Sequence, residues 1–179
     1  MKIRKCIGGL VCSVLILGVL LGSLFIMYRR PYHETVRTYS EQYGIDELLV
    51  YAVMKTESSH DPMAVSRSGA KGLMQIMNRT GSWGAEVCNI PDYSNDRLFE
   101  PDINIQIGTW YLARLMKQYN GNLQLVLAAY NAGTGNVAKW RSNTLYSSDG
   151  HTLHTIPFEE TEKYIQKVNL HYKIYRMLY

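Results

Sequence analysis

The stretch VMKTESS places Glu57 at the end of a segment whose earlier turns are apolar. If that segment is a helix, two effects act on Glu57 in one direction. Partial burial disfavours the carboxylate, and so does the negative end of the helix dipole. A glutamate whose pKa rises toward about 6 stays protonated near neutral pH and can donate a proton to a leaving oxygen. The plainer reading is a helix-end glutamate on a solvated face. A glycosidase with two carboxylates needs an acid and a nucleophile or base at a defined separation. The nearest other acid in sequence, Asp61, precedes Pro62 in a loop. His151 and His154 (HTLHT) resemble a metal pair but have no third ligand at a usual spacing, so no metal is expected there. Nothing calls for a cofactor. Cys88 reads as a small buried hydrophobe, because no low-pKa setting surrounds it.

Four further runs stand in order around Glu57-Ser58. They are Gly72-Leu73-Met74-Gln75-Ile76-Met77, then Phe99-Glu100-Pro101-Asp102-Ile103-Asn104-Ile105 continuing to Tyr111-Leu112, then Ala129-Tyr130-Asn131-Ala132-Gly133-Thr134-Gly135, and finally Ile156-Pro157-Phe158-Glu159-Glu160-Thr161 with Tyr164. Together they resemble the ordered motifs of the lytic transglycosylase catalytic domain, of the soluble lytic transglycosylase type, over roughly residues 38–178. The resemblance implies a mainly α, lysozyme-like domain with a glycan-binding groove. It also implies cleavage of the bond between N-acetylmuramic acid and N-acetylglucosamine in peptidoglycan.

The same resemblance implies roles residue by residue. Glu57 is similar to the family's single catalytic acid/base. Ser66 falls where the family has a groove serine near the muramic acetamido group. Gln75 and Met77 match groove-lining positions. Tyr130 matches a tyrosine whose hydroxyl contacts the catalytic carboxyl, and Asn131 lies beside it. Glu160 matches a second acidic groove residue and Tyr164 another groove residue, while Asp61 matches no catalytic position. The family usually has Pro after the second Met of the motif, where this chain has Asn78, so the local turn there is in question. A lysozyme-type hydrolase and a non-catalytic glycan-binding module of a wall-spanning assembly remain as alternatives.

Plainer roles compete at several positions. Leu73, Met74 and Ile76 read as core, and Met77 as either core or groove. Asn131-Ala132-Gly133 can serve as a helix stop. Tyr130, before a chain reversal, can place its ring in the core and its hydroxyl at a carboxyl. Asn78-Arg79-Thr80 matches a glycosylation sequon by chance. The chain's 14 tyrosines suit stacking on pyranose faces.

The elements that must hold these residues read as helices punctuated by Gly and Pro. A short helix spans 33–43 and ends at Gly44. Asp46 caps a second that runs to about Ser58, with Leu49, Ala52 and Val53 on its buried stripe. A long loop follows through Asp61-Pro62 and Ser68-Gly69, and residues 72–77 are expected to be buried. Pro101-Asp102 opens a helix with Ile103, Ile107, Tyr111, Leu112 and Leu115 at helical spacing, closed by Asn120-Gly121. Asn122 caps a helix through Ala129 that ends in a loop at 132–135. A last helix runs from about Glu159 to Tyr175, with Tyr164, Ile165, Val168 and Tyr172 on one side. No alternating strand is evident.

Charge divides the chain. Lys2, Arg4, Lys5, Arg29 and Arg30 meet no acid within residues 1–30, whereas the remaining 149 residues carry 14 Lys/Arg against 15 Asp/Glu, a net of −1. The overall +4 therefore belongs to the N-terminal segment, and a nucleic-acid partner lacks the basic face it needs. Residues 6–28 are uncharged and, as a helix, reach about 35 Å, enough for a hydrocarbon core of roughly 30 Å. A single-pass membrane anchor over about 6–28 is expected, with its N-terminus cytoplasmic and the domain on the outer face of the cell membrane. A signal peptide is the competing reading, but its apolar region is usually shorter and ends in small residues, where Phe25, Met27 and Tyr28 stand here. A lipoprotein reading through Cys12 fails on Leu10-Val11. The expected organisation is an anchor (1–30), a juxtamembrane linker (31–37) and a catalytic domain (38–179). Expected partners are peptidoglycan strands, the membrane, and a cell-wall or secretion assembly.

Overall fold

The computed structural model describes residues 15, 16, 18, 19 and 22–179. The expected anchor over 6–28 falls largely outside the described residues. Among those described, no helix is long and apolar enough to cross a membrane.

Residues Tyr32–Met177 gather into one compact unit of helices. The first, α1 (His33–Tyr43), buries Val36 and Ser40 and stops at Gly44, whose φ of 67° lets its N–H reach the Ser40 carbonyl. These are the bounds expected for the first helix, whose opening residues 33–37 are shared with the linker expected at 31–37. The Asp46 carboxylate then accepts the Leu48 N–H at 2.8 Å and starts α2 (Glu47–Ser58). Every residue from Leu49 to Met54 is buried, so α2 runs through the core rather than along it.

The long α4 (Pro101–Gln118) begins with Pro at its first position, where no backbone donor is needed. It buries Ile103, Ile105, Ile107, Leu112 and Leu115, and packs against α1. Helix α5 (Leu123–Ala132), capped by the Asn122 side chain, buries Leu125–Ala129 in succession and lies against α4. Helix α7 (Glu159–Leu178) covers the core with Tyr164, Ile165, Val168 and Tyr175. Each fully buried aliphatic side chain contributes about 1.5–3 kcal/mol of transfer free energy.

Three elements differ from the sequence expectation. Asn78 does not sit in a turn; it opens α3 (Asn78–Val87), with Met77 extended at the cap. A 3-10 turn forms at Asn95–Phe99. The expected loop at 132–135 is a single break at Gly133 (φ 86°), after which α6 (Thr134–Arg141) begins at once. Helices α3 and α6 carry glycines that mask their periodicity, and α3 needs them: a Cβ on Gly84 would stand 2.6 Å from Ile107 of α4. Among the described residues no extended strand forms; two isolated bridges, Val65 to Lys71 and Lys71 to Ile76, fold the loop after α2 back on itself.

Candidate active site

Glu57 lies on the last turn of α2, which ends where Ser59 turns left-handed at φ 53°. Ser58 anchors this end by donating its hydroxyl to the Leu73 carbonyl at 2.8 Å. The loop at 72–77 is thereby laid beside Glu57. Asn104 of α4, fully buried, holds the same loop from below. Its carbonyl oxygen accepts the Met74 N–H (2.8 Å), and its amide donates to the Lys71 (2.9 Å) and Leu98 (2.7 Å) carbonyls. Gly72, at φ +76°, passes so close that a Cβ would meet Asn104 Nδ2 and the Leu98 carbonyl, each at 2.3 Å. Leu73, Met74 and Ile76 are core, as expected, while Met77 is 44% exposed and faces the groove.

From α5, Tyr130 donates its hydroxyl to the Met74 carbonyl at 2.9 Å. Tyr130 also shares the wall of one cavity with Glu57, whose charge adds to the effect of burial in raising the tyrosine pKa. Asn131 accepts the Thr161 hydroxyl at 2.8 Å, joining the end of α5 to the first turn of α7. The first two turns of α7 bring Glu160 and Tyr164 to cavities that Glu57 also lines.

Three cavities join along this line. The central one, about 200 Å³, is walled by Glu57, Ser66, Ser68, Ala70, Gln75, Met77, Tyr130, Asn131 and Glu160. It shares Gln75, Met77, Tyr130 and Asn131 with an arm of about 330 Å³ that reaches Thr80, Tyr111 and Gly133. It shares Glu57, Asn131 and Glu160 with a second arm of about 260 Å³ that reaches Thr56, Lys163, Tyr164 and Lys167. All eight residues singled out from the sequence thus line one continuous groove. Two roomier hollows, about 430 and 450 Å³, share none of these residues.

The groove sets the protonation of Glu57. Burial pushes its pKa up to about 7, the nearby negative charge of Glu160 adds to the rise, and the Tyr164 hydroxyl opposes it. Tyr164 is itself buried, and after burial its hydroxyl is the largest influence on Glu57, favouring the charged form. Among the described residues, Glu57 and Glu160 are the only carboxyls on the three cavities. Asp61 instead accepts the Met63 N–H at 2.9 Å. No group of three or more metal-ligating side chains occurs among the described residues. Several of the other side chains are committed to the scaffold. Ser66 accepts the Ala70 N–H (3.0 Å), and Gln75, at φ 48°, donates to the Ala64 and Gly72 carbonyls. An acid protonated near neutral pH, in the middle of an open trough, can protonate the bridging oxygen of an extended polymer.

Residues 34–151 match the profile of the Transglycosylase SLT domain. The chain belongs to that family. It is 38% identical over 82% of its length to membrane-bound lytic murein transglycosylase C of Edwardsiella ictaluri, covering 47% of that protein. It is 36% identical over 81% of its length to the soluble lytic murein transglycosylase of Salmonella typhimurium, covering 23% of it. The SLT-domain fold also superposes on lytic transglycosylase Slt from Pseudomonas aeruginosa, solved as an inactive glutamate-to-glutamine mutant. The TM-score is 0.76 at 35% identity, over 86% of this chain and 25% of that one. The chain therefore spans about half the length, or less, of the curated relatives it matches.

Sequence reasoning missed Ser58 and Asn104 as the residues that fix the SLT-domain loop, and Lys163 and Lys167 as groove residues. Asn104 carried a usable signal: an amide at a core-facing position of an apolar helix needs buried partners. Lys163 and Lys167 follow Glu160 at helical spacing, which places all three on one face of α7.

Proposed function

We propose that this domain is a peptidoglycan lytic transglycosylase that cleaves the bond between N-acetylmuramic acid and N-acetylglucosamine, with Glu57 as its single general acid/base. The observation that carries this reading is a carboxyl raised to about 7 on the central of three cavities that share lining residues. Glu57 protonates the bridging oxygen as the glycosidic bond breaks. The acetamido group of the muramic residue stabilises the positive anomeric carbon, in place of an enzyme nucleophile. The Glu57 carboxylate then takes the proton of the muramic hydroxymethyl group, whose oxygen closes onto the anomeric carbon. The product is an anhydro-muramic end, no water is consumed, and Glu57 is protonated again. Intramolecular attack has a high effective molarity, and the groove walls favour it over hydrolysis. The inactivity of the Pseudomonas glutamate-to-glutamine mutant supports dependence on one carboxyl.

In the same reading, Ser66, Gln75, Met77, Tyr130, Asn131, Glu160 and Tyr164 contact or shape the glycan. Residues 6–28 anchor the chain in the cell membrane with a cytoplasmic N-terminus. The uncharged run and the membrane-bound relative support that placement. The domain then acts on glycan near the membrane, or makes room for an assembly crossing the wall.

Glu160, the other groove carboxyl, is what a lysozyme-type hydrolase would use as a second group. Digestion of purified sacculi separates the two. Transglycosylation gives products lighter by one water than hydrolysis does, and E57Q abolishes their release. Hydrated products, or undiminished release by E57Q, would overturn the proposal.

A further inference from the structure

One of the two hollows away from the groove, about 450 Å³, lies between α3 and α4. Trp83 and Val87 of α3 and Trp110, Arg114 and Lys117 of α4 wall it, and Tyr43 closes it from the end of α1. Gly84 lets α3 settle onto α4 here, since a Cβ would stand 2.6 Å from Ile107 and 3.2 Å from the Trp110 ring. The two indoles meet edge to face, with ring centroids 4.8 Å apart. Trp83 is 37% exposed and Val87 49%, which leaves an aromatic and aliphatic surface facing solvent.

Two cations border that surface. Arg114 lays its guanidinium over the Trp83 ring at 4.4 Å, and Lys117 follows three residues on, on the same side of α4. Both are exposed, and among the described residues neither forms an ion pair with a carboxylate. A guanidinium stacked on a ring keeps its in-plane N–H donors free for an anion. No Asp or Glu lines the hollow; Glu86, the neighbour of Val87, lies outside its wall. The hollow also adjoins the groove. Tyr111 lines the arm that runs past Thr80, and its ring lies 6.3 Å from Trp110, 6.5 Å from Trp83 and 5.6 Å from Tyr130. Thr80 and Trp83 stand one turn apart on α3, so the indoles are the next surface along that helix from the arm.

Flat apolar rings beside cations that no carboxylate neutralises fit a sugar whose apolar face stacks on indole and whose substituent carries an anion. Peptidoglycan is built of such units, since each muramic residue bears a lactyl group and, through it, an acidic peptide. We propose that the hollow between α3 and α4 is an accessory saccharide site that holds the peptidoglycan strand outside the catalytic groove. Trp83 and Trp110 take the sugar ring, and Arg114 and Lys117 take the carboxylate. Two sites on one polymer raise the effective concentration of strand at the groove. This rests on the proposed reading of the groove and adds a second site to it.

The test uses the full-length E57Q chain in detergent micelles, so that turnover does not consume the ligand. Soluble peptidoglycan strands with their stems are titrated in. Nitrogen-15 NMR follows the indole N–H signals of the three tryptophans, and calorimetry reads the affinity. The Trp83 and Trp110 signals should move, while that of Trp140, packed on Phe158, stays in place. K117E should weaken strand binding roughly threefold to tenfold and shrink both shifts, and raised salt should act in the same direction. W83L, with its unfolding midpoint checked, should weaken binding at least as much and remove the Trp110 shift. Strand binding that leaves both indoles unmoved would overturn the inference. So would shifts that K117E and salt leave unchanged, because Lys117 does not line the groove and the signal would then be relayed through Tyr111. A larger response to polyglutamate, or to micelles doped with anionic lipid, would assign the hollow to a protein or a membrane and overturn it as well. This binding pattern in a wild-type chain without turnover on sacculi would count against the catalytic reading and leave the accessory site standing.

Discussion

Tyr164 sets a buried hydroxyl beside the Glu57 carboxyl from the facing helix without completing a hydrogen bond to it. Such a hydroxyl favours the charged form of the carboxyl, while burial and Glu160 favour the neutral one. The neutral form wins up to about pH 7, because the desolvation effect is the largest of the three.

The pH dependence follows from that balance. The first chemical step needs protonated Glu57, so kcat/KM should fall tenfold per unit above about pH 7. E160Q removes a charge that raises the Glu57 pKa, so the falling limb should move to lower pH. Y164F removes a group that lowers it, so the limb should move to higher pH. Rate profiles of the three proteins on one soluble glycan check all three directions. Identical profiles would show that Glu57 does not supply the limb.

The same shift has a stability consequence of opposite sign to the usual carboxylate. The ordinary glutamate pKa is 4.5, and in the fold it is about 7. Below 4.5 both states are protonated and nothing is lost. Between 4.5 and 7 the unfolded chain ionises while the fold does not, so stability falls as pH rises and levels off above 7. E57Q should therefore stabilise the domain by roughly 1–3 kcal/mol at pH 8 and by almost nothing at pH 4, read by denaturant unfolding at both pH values.

Asn104 is the support on which the loop beside Glu57 depends. N104A leaves the Met74 N–H and the Lys71 and Leu98 carbonyls without their partner in the core. A loss of about 2–4 kcal/mol is expected. G72A should cost a comparable amount, through its φ of +76° and the 2.3 Å approach to Asn104 and Leu98. Urea unfolding measures both. Losses under about 0.5 kcal/mol would mean that the loop is held by other contacts.

Much of this architecture was legible in the sequence, because strong local signals agree with the final packing. Gly44, Asp46, Pro101 and Asn122 mark helix ends in the chain as they do in the fold. Helices α3 and α6 were not legible. Glycines at 81, 84 and 135 weaken their pattern, and what favours α3 is close approach to Leu98, Ile107 and Tyr93, which only the tertiary structure supplies. At the groove, residue types were readable and hydrogen-bond partners were not. Tyr130 was expected beside the carboxyl and shares a cavity wall with it, but the bond from its hydroxyl to the Met74 carbonyl, and the Tyr164 hydroxyl acting on Glu57, could not be read from the chain. Such partners are set by contacts between distant parts of the chain, as where the Thr161 hydroxyl meets Asn131 thirty residues away.

The most direct test of the central claim is the titration of Glu57 itself. Carbon-13 NMR of the glutamate side-chain carboxyls, with the Glu57 resonance assigned by its disappearance in E57Q, reads the protonation midpoint without reference to turnover. A midpoint near 7 is expected. A midpoint near the ordinary 4.5 would mean that Glu57 is already ionised at neutral pH and cannot be the acid that starts the reaction.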